Sequence, residues 1–329
     1  MGNDLKLSIS LADYHRTRPL LDGHVKFRGI APDYHTAAIG EACLVPVYEQ
    51  FDVAEMSLSW YAMARSRGEP VFALPVFPLR MFVHSYVFCR ADSGITKPED
   101  LRGRRVGMDL YRLTVGLWTR GIFEEHHGVT PDQIHWFTSD VEGAGFEPPA
   151  NVEITRTGRD VDELLVNGDI DAVIAPNVID SFRSGDPRVR RMYSDIRGTI
   201  GNYFDTTGIF PTTHTLVARE DLLRREPWIV DSLVEGFESA ETYCRKQYEY
   251  PKRVMFPTSV LIREEEEKRF GANPWRHGLE GNEHTLDRFM EYAFRQGYTG
   301  RRMSLAESFW PVRGKAPPAK AAPELVAAK

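Results

Sequence analysis

Residues 91–109 read ADSGITKPEDLRGRRVGMD. ITKPEDL predicts a short helical turn, and RRVGM behind it predicts a strand. Downstream, a helix is expected over about 113–127, ending near Gly128. NVEITRT (151–157) reads as a strand, DVDELLVNG (160–168) as a helix ending at Gly168, and IDAVIAP (170–176) as a buried strand. HTLVARE (214–220) is a further strand, and long helices follow in PWIVDSLVEGFESAETYCRKQ (227–247) and HTLDRFMEYAFRQG (284–297). Upstream, LKLSISL (5–11) alternates as a first strand, and DGHVKFRGI (22–30) gives a turn and a second short strand. GEACLVPVYEQ (40–50) looks helical and FDVAEMSL (51–58) reads as a buried strand. Ser59 is placed as the N-cap of a helix WYAMARSR that Gly68 ends. PVFALPVFP (70–78) and SYVFCR (85–90) are β-rich. Strands alternate with helices, so the class is α/β.

The 329 residues suggest two domains of about 150 each. With 42% hydrophobic and 27% charged residues the balance is that of an ordinary globular chain. A net charge of −6 carries no electrostatic footprint for nucleic acid, and no apolar run is long enough for a membrane span. The first twenty residues carry Asp4, Lys6, Asp13, Arg16 and Arg18, which breaks any secretory apolar run. Cys43, Cys89 and Cys244 are far apart, which fits a reducing cytoplasm better than a disulfide framework. The REEEEKR run (263–269) reads as a solvated helix face, and adjacent His126 and His127 as surface residues. The tail 313–329 is expected to be disordered, and a homo-oligomer is compatible with the sequence.

The 91–109 stretch, NGDIDAVIAP (167–176) and the return strand THTLVARED (213–221) resemble the entry, middle and exit of the second lobe of type II periplasmic-binding-protein-like folds. That resemblance implies two α/β lobes joined by two crossover strands. Lobe one would hold 1–89 and 210–312, lobe two 90–209, and the ligand would sit in the cleft between them.

Motifs for nucleotide phosphate loops, dinucleotide binding, zinc proteases, EF-hands and nucleophile elbows are all absent, and no spacing demands a metal. Polar and aromatic groups concentrate instead in ADYHRTRPL (12–20), MSLSWY (56–61), RMFVHS (80–85), MDLYRLTVGLW (108–118) and YFDTTGIFPTTHT (203–215). Most of these follow a strand, where open α/β sheets bind ligands. Ser59 and Thr114, at helix starts, are candidate anion cradles. Arg16, Arg80 and Arg112 are candidate carboxylate clamps. If RMFVHS is a strand, Arg80, Phe82 and His84 share one face.

At the same segments the chain resembles the 4,5-dihydroxyphthalate decarboxylase family. The residues that carry the likeness are ADYHRTRPL, FDVAEMSLSWY, LPVFPLRMFVHS, DLRGRRVGM, IHWFTSD, GDIDAVI, TGIFPTTHTLV and HGLEGNEHTLDRFMEYAFRQG, across most of 5–300. The resemblance implies a cytoplasmic enzyme of aromatic catabolism that removes CO2 from a hydroxylated aromatic acid without a cofactor. It makes His84 and His214 the acid/base pair, with Asp13 orienting a histidine or accepting from a ring hydroxyl. Arg16, Arg80 and Arg112 would anchor carboxylates, Ser59 and Thr114 would donate, and Trp60, Tyr111 and Phe210 would hold the ring. The same scaffold also serves solute-binding proteins, so delivery of a small carboxylate is the competing function.

Overall fold

A computed structural model describes residues 4–37, 47–143 and 145–312. The 91–109 stretch folds as a turn of 3-10 helix at Pro98–Leu101 followed by a strand at Arg105–Met108. In chain order the strands are β1 (Leu5–Ala12), β2 (Ile30–Ala37), β3 (Val53–Ser57), β4 (Val71–Leu74), β5 (Val87–Arg90), β6 (Arg105–Met108), β7 (His135–Thr138), β8 (Ile154–Arg156), β9 (Ala172–Ile174), β10 (Val189–Arg191) and β11 (His214–Arg219). Among the described residues they form a five-stranded sheet of order β2-β1-β3-β11-β4 and a six-stranded sheet of order β10-β5-β9-β6-β7-β8. In the first, β1 pairs in parallel with β2 and β3, and β11 runs antiparallel between β3 and β4. In the second, β9, β6, β7 and β8 are parallel and β5 is antiparallel to both its neighbours.

The chain divides into two compact units. Unit 1 takes the described residues of Met1–Arg80, Thr212–Asp287 and Met303–Lys329, and unit 2 those of Met81–Pro211 and Arg288–Arg302. In unit 1, Leu7, Ile9 and Leu11 of β1 pack with Leu216, Ala218 and the apolar face of the helix Ile229–Tyr248, through Leu233 and Phe237. In unit 2, Phe88, Val173 and Ile170 pack with Val161, Leu164 and Leu165 of the helix Val161–Asn167. That helix ends at Gly168, whose φ of 81° closes it. Residues 81–89, read in the sequence with lobe one, lie in unit 2 because β5 is built into its sheet. Residues 288–302 join unit 2 through Gln296 and Tyr298, which bond Arg120.

Three local expectations are corrected. RMFVHS is no strand. Arg80 makes one bridge to Thr212, and Val83–Tyr86 is a 3-10 turn. Pro75 and Pro78 have no N–H to offer a ladder, so the β-rich composition upstream cannot extend as a strand. The second strand lies at 30–37 rather than within 22–30. Among the described residues it is an edge strand bonded only to β1, where Pro32 is tolerated. Ser57, not Ser59, occupies the N-cap position of the helix Leu58–Ser66, because β3 runs straight into it. The helix Ser259–Phe270 carries its 264–269 charges exposed, as expected. Cys43, the 40–46 part of the expected 40–50 helix and the 313–329 tail lie outside the described residues.

Candidate active site

β3 is buried along its whole length, yet its middle residue is Glu55. A carboxylate that loses water there requires hydrogen bonds from the fold. Register supplies one of them. Glu55 pairs with Leu216 across the antiparallel ladder, and His214 lies two residues before Leu216. Side chains two apart share a face, so Glu55 and His214 are diagonal neighbours on one side of the sheet. His214 Nδ1 lies 2.5 Å from Glu55 Oε1. The turn after β1 supplies the rest. Tyr14 Oη donates to Glu55 Oε1 at 2.7 Å, and the Ala12 N–H donates to Oε2 at 3.2 Å. Thr17 holds that turn, donating to the Ala12 carbonyl and accepting the Tyr14 N–H.

Burial pushes the Glu55 carboxyl upward. The hydrogen bond and charge of His214, then the Tyr14 hydroxyl and the Ala12 N–H, outweigh it and leave the group below the usual carboxylate range. An ionised carboxylate only accepts, so the His214 proton sits on Nδ1 and proton exchange at this ring falls to Nε2. The same arrangement lets Glu55 balance the charge of a protonated ring.

Arg16 follows Tyr14 by two residues. Its guanidinium lies 4.1 Å from the Tyr14 ring centre and 4.4 Å from that of Trp275, and its Nε donates to the Pro78 carbonyl. Desolvation lowers its pKa, and the nearby Tyr14, Glu55, Glu241 and Cys244 act against that shift. Its Nη2 is buried without a hydrogen-bond partner.

Unit 2 holds the other expected histidine. His84 is 3% exposed, with its ring 4.8 Å from that of Tyr203 and 5.8 Å from that of Tyr193. Desolvation, then the neighbouring His127 and His126, lowers its pKa to about 4. It is therefore neutral at pH 7, which suits a proton acceptor better than a donor. Phe210 stacks on Phe82, with ring centres 4.7 Å apart.

The other expected residues are placed differently. Asp13 is exposed and paired with Arg18, while the carboxylate that orients His214 is Glu55. Arg80 is buried, and its Nη2 bonds the Arg276 carbonyl at 2.8 Å and Asn282 Oδ1 at 2.7 Å. Tyr111 lies in the core of unit 2 beneath the Arg120 guanidinium, 3.7 Å away. The backbone N–H of Arg112 donates to Glu142 Oε2 at 3.0 Å, and its guanidinium approaches the same carboxylate at 3.8 Å. Ser59 and Trp60 are buried in the first turn of Leu58–Ser66, and Thr114 is buried at the start of the helix Thr114–His127. The fold thus gathers Arg16 and His214 in unit 1 with Glu55 and Tyr14, two residues the sequence reading did not nominate. A signal for Glu55 was present: it is the one charge inside the apolar run VAEMSL. Among the described residues no group of three or more His, Cys, Asp or Glu side chains is arranged to hold a metal ion. No helix among them is long and apolar enough to cross a membrane.

No protein-family model matches the chain. It is 33% identical over 319 residues to a 4,5-dihydroxyphthalate decarboxylase of Comamonas testosteroni, covering 93% of this chain and 97% of that protein. A 4,5-dihydroxyphthalate decarboxylase of Pseudomonas putida is 33% identical over 212 residues, covering 61% of this chain and 82% of that protein. Among solved structures, the periplasmic sulfonate-binding protein SsuA of Methylobacillus flagellatus aligns with a TM-score of 0.59 at 12% identity, covering 94% of this chain and 93% of that one. The periplasmic aliphatic sulphonate binding protein SsuA of Escherichia coli aligns with a TM-score of 0.56 at 14% identity, covering 96% of each chain. At such identities these likenesses speak to the fold, which is type II periplasmic-binding-protein-like.

Proposed function

The chain belongs to the 4,5-dihydroxyphthalate decarboxylase family, and from that premise we propose that it is a carboxy-lyase releasing CO2 from a hydroxylated aromatic acid of the 4,5-dihydroxyphthalate type. The observation that carries the reading is identity sustained over 93% of the chain. The Glu55–His214 pair supports it, because the chemistry needs a proton carrier.

Direct loss of CO2 from an aryl carboxylate would leave a bare aryl anion. In 4,5-dihydroxyphthalate each carboxylate has a hydroxyl para to it, which opens another route. A base takes the phenolic proton, the electron pair moves through the ring, and the carbon bearing the carboxylate takes a proton. The C–C bond of the resulting dienone then breaks. Its electron pair restores the aromatic ring, the ketone oxygen returns to phenolate and is reprotonated, and CO2 leaves. In sum one proton replaces one CO2, with no oxidant or reductant. In this reading His214 Nε2 carries the proton while Glu55 fixes the tautomer, and Arg16 pairs with a carboxylate. His84 is the second proton-carrier candidate, as the acceptor. Cys89 and Cys244 are unpaired, which suits action in the cytoplasm.

The test is to incubate purified protein with 4,5-dihydroxyphthalate and follow CO2 and 3,4-dihydroxybenzoate. His214→Ala is expected to lower kcat/KM by about 10²-fold or more with the fold retained, and His84→Ala is measured beside it. Tight binding of the acid without CO2 release by the wild type would reject the enzyme reading in favour of a solute-binding protein.

A further inference from the structure

Unit 1 carries a partly open cavity of about 490 Å³ between the turn after β1, the helices Ile229–Tyr248 and Ser259–Phe270, and the 271–275 segment. Its wall includes Arg16, Glu241, Cys244, Arg245, Tyr248 and Trp275. The volume suits a single-ring organic acid. Two polar groups on this wall are left incomplete by the fold. Arg16 Nη2 is buried with no acceptor. Glu241 is 5% exposed and its Oε2 receives no hydrogen bond. His277 Nδ1 accepts the Phe77 N–H at 3.0 Å, which puts the ring proton on Nε2, 3.1 Å from Glu241 Oε1, and leaves Oε2 as the oxygen without a donor. Asn273 Oδ1, on the same wall, is a further buried acceptor without a donor. Arg16 and Glu241 feel one another's charge but share no ion pair among the described residues. Buried polar groups left unpaired are costly, and a cation and an acceptor both unfilled on one wall call for a ligand that offers each what it lacks.

We propose that this cavity binds a hydroxylated aromatic carboxylate, with the carboxylate on Arg16, the ring between the Trp275 and Tyr248 walls, and a phenolic hydroxyl donated to Glu241. The proposal rests on the reading of the substrate as a hydroxylated aromatic acid, and it makes Glu241 the residue that selects for the hydroxyl. A site built to accept a hydroxyl rejects the analogue lacking it, because the acceptor then stays buried and unpaired.

The probes are 3,4-dihydroxybenzoate and benzoate, neither of which the proposed reaction consumes, with binding followed by tryptophan fluorescence and calorimetry. The wild type is expected to prefer the dihydroxy acid by about tenfold or more. In Glu241→Leu that preference should fall to within about twofold, through loss of the dihydroxy acid's affinity. Ala272→Trp, on the exposed rim, should weaken both acids about tenfold while leaving the core untouched. Wild-type affinities for both acids in both variants would overturn the proposal. Binding that responds as expected, without CO2 release from 4,5-dihydroxyphthalate, would retain the pocket and reject the decarboxylase. CO2 release with KM unchanged in both variants would do the reverse. No binding of either acid by the wild type would reject the pocket.

Discussion

Glu55 and His214 divide one task between two residues. In the proposed reaction the imidazole exchanges the proton, and the carboxylate, by holding Nδ1, leaves that exchange to Nε2. Glu55→Gln keeps an acceptor for Nδ1 but removes the charge, so kcat should fall about 10²-fold while KM moves by no more than about threefold. A KM change as large as the kcat change would assign Glu55 to substrate binding instead. The pair was half legible. His214 stands out in TTHT, whereas Glu55 looks like a stray charge until the β3–β11 register sets it diagonally to a histidine far along the chain. His84 makes a separate prediction. Its folded pKa of about 4 lies below the ordinary 6.5. Between those values the unfolded chain takes up a proton that the folded chain refuses, so its contribution is complete above pH 6.5 and is lost as pH falls towards 4. The shift is worth about 3 kcal/mol. His84→Phe should therefore lose less stability than the wild type between pH 7 and pH 4, by about that amount, in urea midpoints read across the range. Parallel curves would mean that His84 titrates as an exposed histidine does.

At the scale of elements, most strands and helices could be read from period and punctuation, and the exceptions have local causes. Pro32 disguised β2, and Pro75 with Pro78 ended a segment whose composition favours a strand. Close approaches cannot be read from periodicity at all. Gly236 lies on the buried face of the helix Ile229–Tyr248, and a Cβ there would sit 2.3 Å from Phe27 Cδ1. Phe27 is buried and cannot swing into solvent. Gly236→Ala should therefore destabilise the protein by about 1–3 kcal/mol despite the better helix propensity of alanine. Phe27→Leu in that background should return part of the loss, which denaturant unfolding of the two variants and the double would show. The same helix carries Glu241 and Cys244. A shift that accommodates the new methyl should thus also weaken 3,4-dihydroxybenzoate binding, linking helix packing to the cavity.

For the whole molecule, the two-part fold was legible because its signature segments are local, while the placing of 81–89 and 288–302 with unit 2 was not. Unit 1 is assembled from three stretches of chain, which passes between the units at 80/81, 211/212, 287/288 and 302/303. The side chains proposed for chemistry and binding follow that assembly. Arg16 and Glu55 come from the first stretch of unit 1, and His214, Glu241 and Trp275 from the second. A ligand held by these groups must couple segments that lie far apart in sequence. At a free concentration of 100 times Kd, 3,4-dihydroxybenzoate should stabilise the folded chain by about 2.7 kcal/mol. Under those conditions hydrogen exchange should slow most in peptides covering 12–18, 53–57, 241–248 and 271–277, all belonging to unit 1. Concerted slowing of these separated peptides is the mark of a site that exists only in the assembled unit. Protection confined to unit 2, with these peptides exchanging as in the free protein, would remove the aromatic acid from Arg16 and Glu241 and return the search to His84 and its tyrosines.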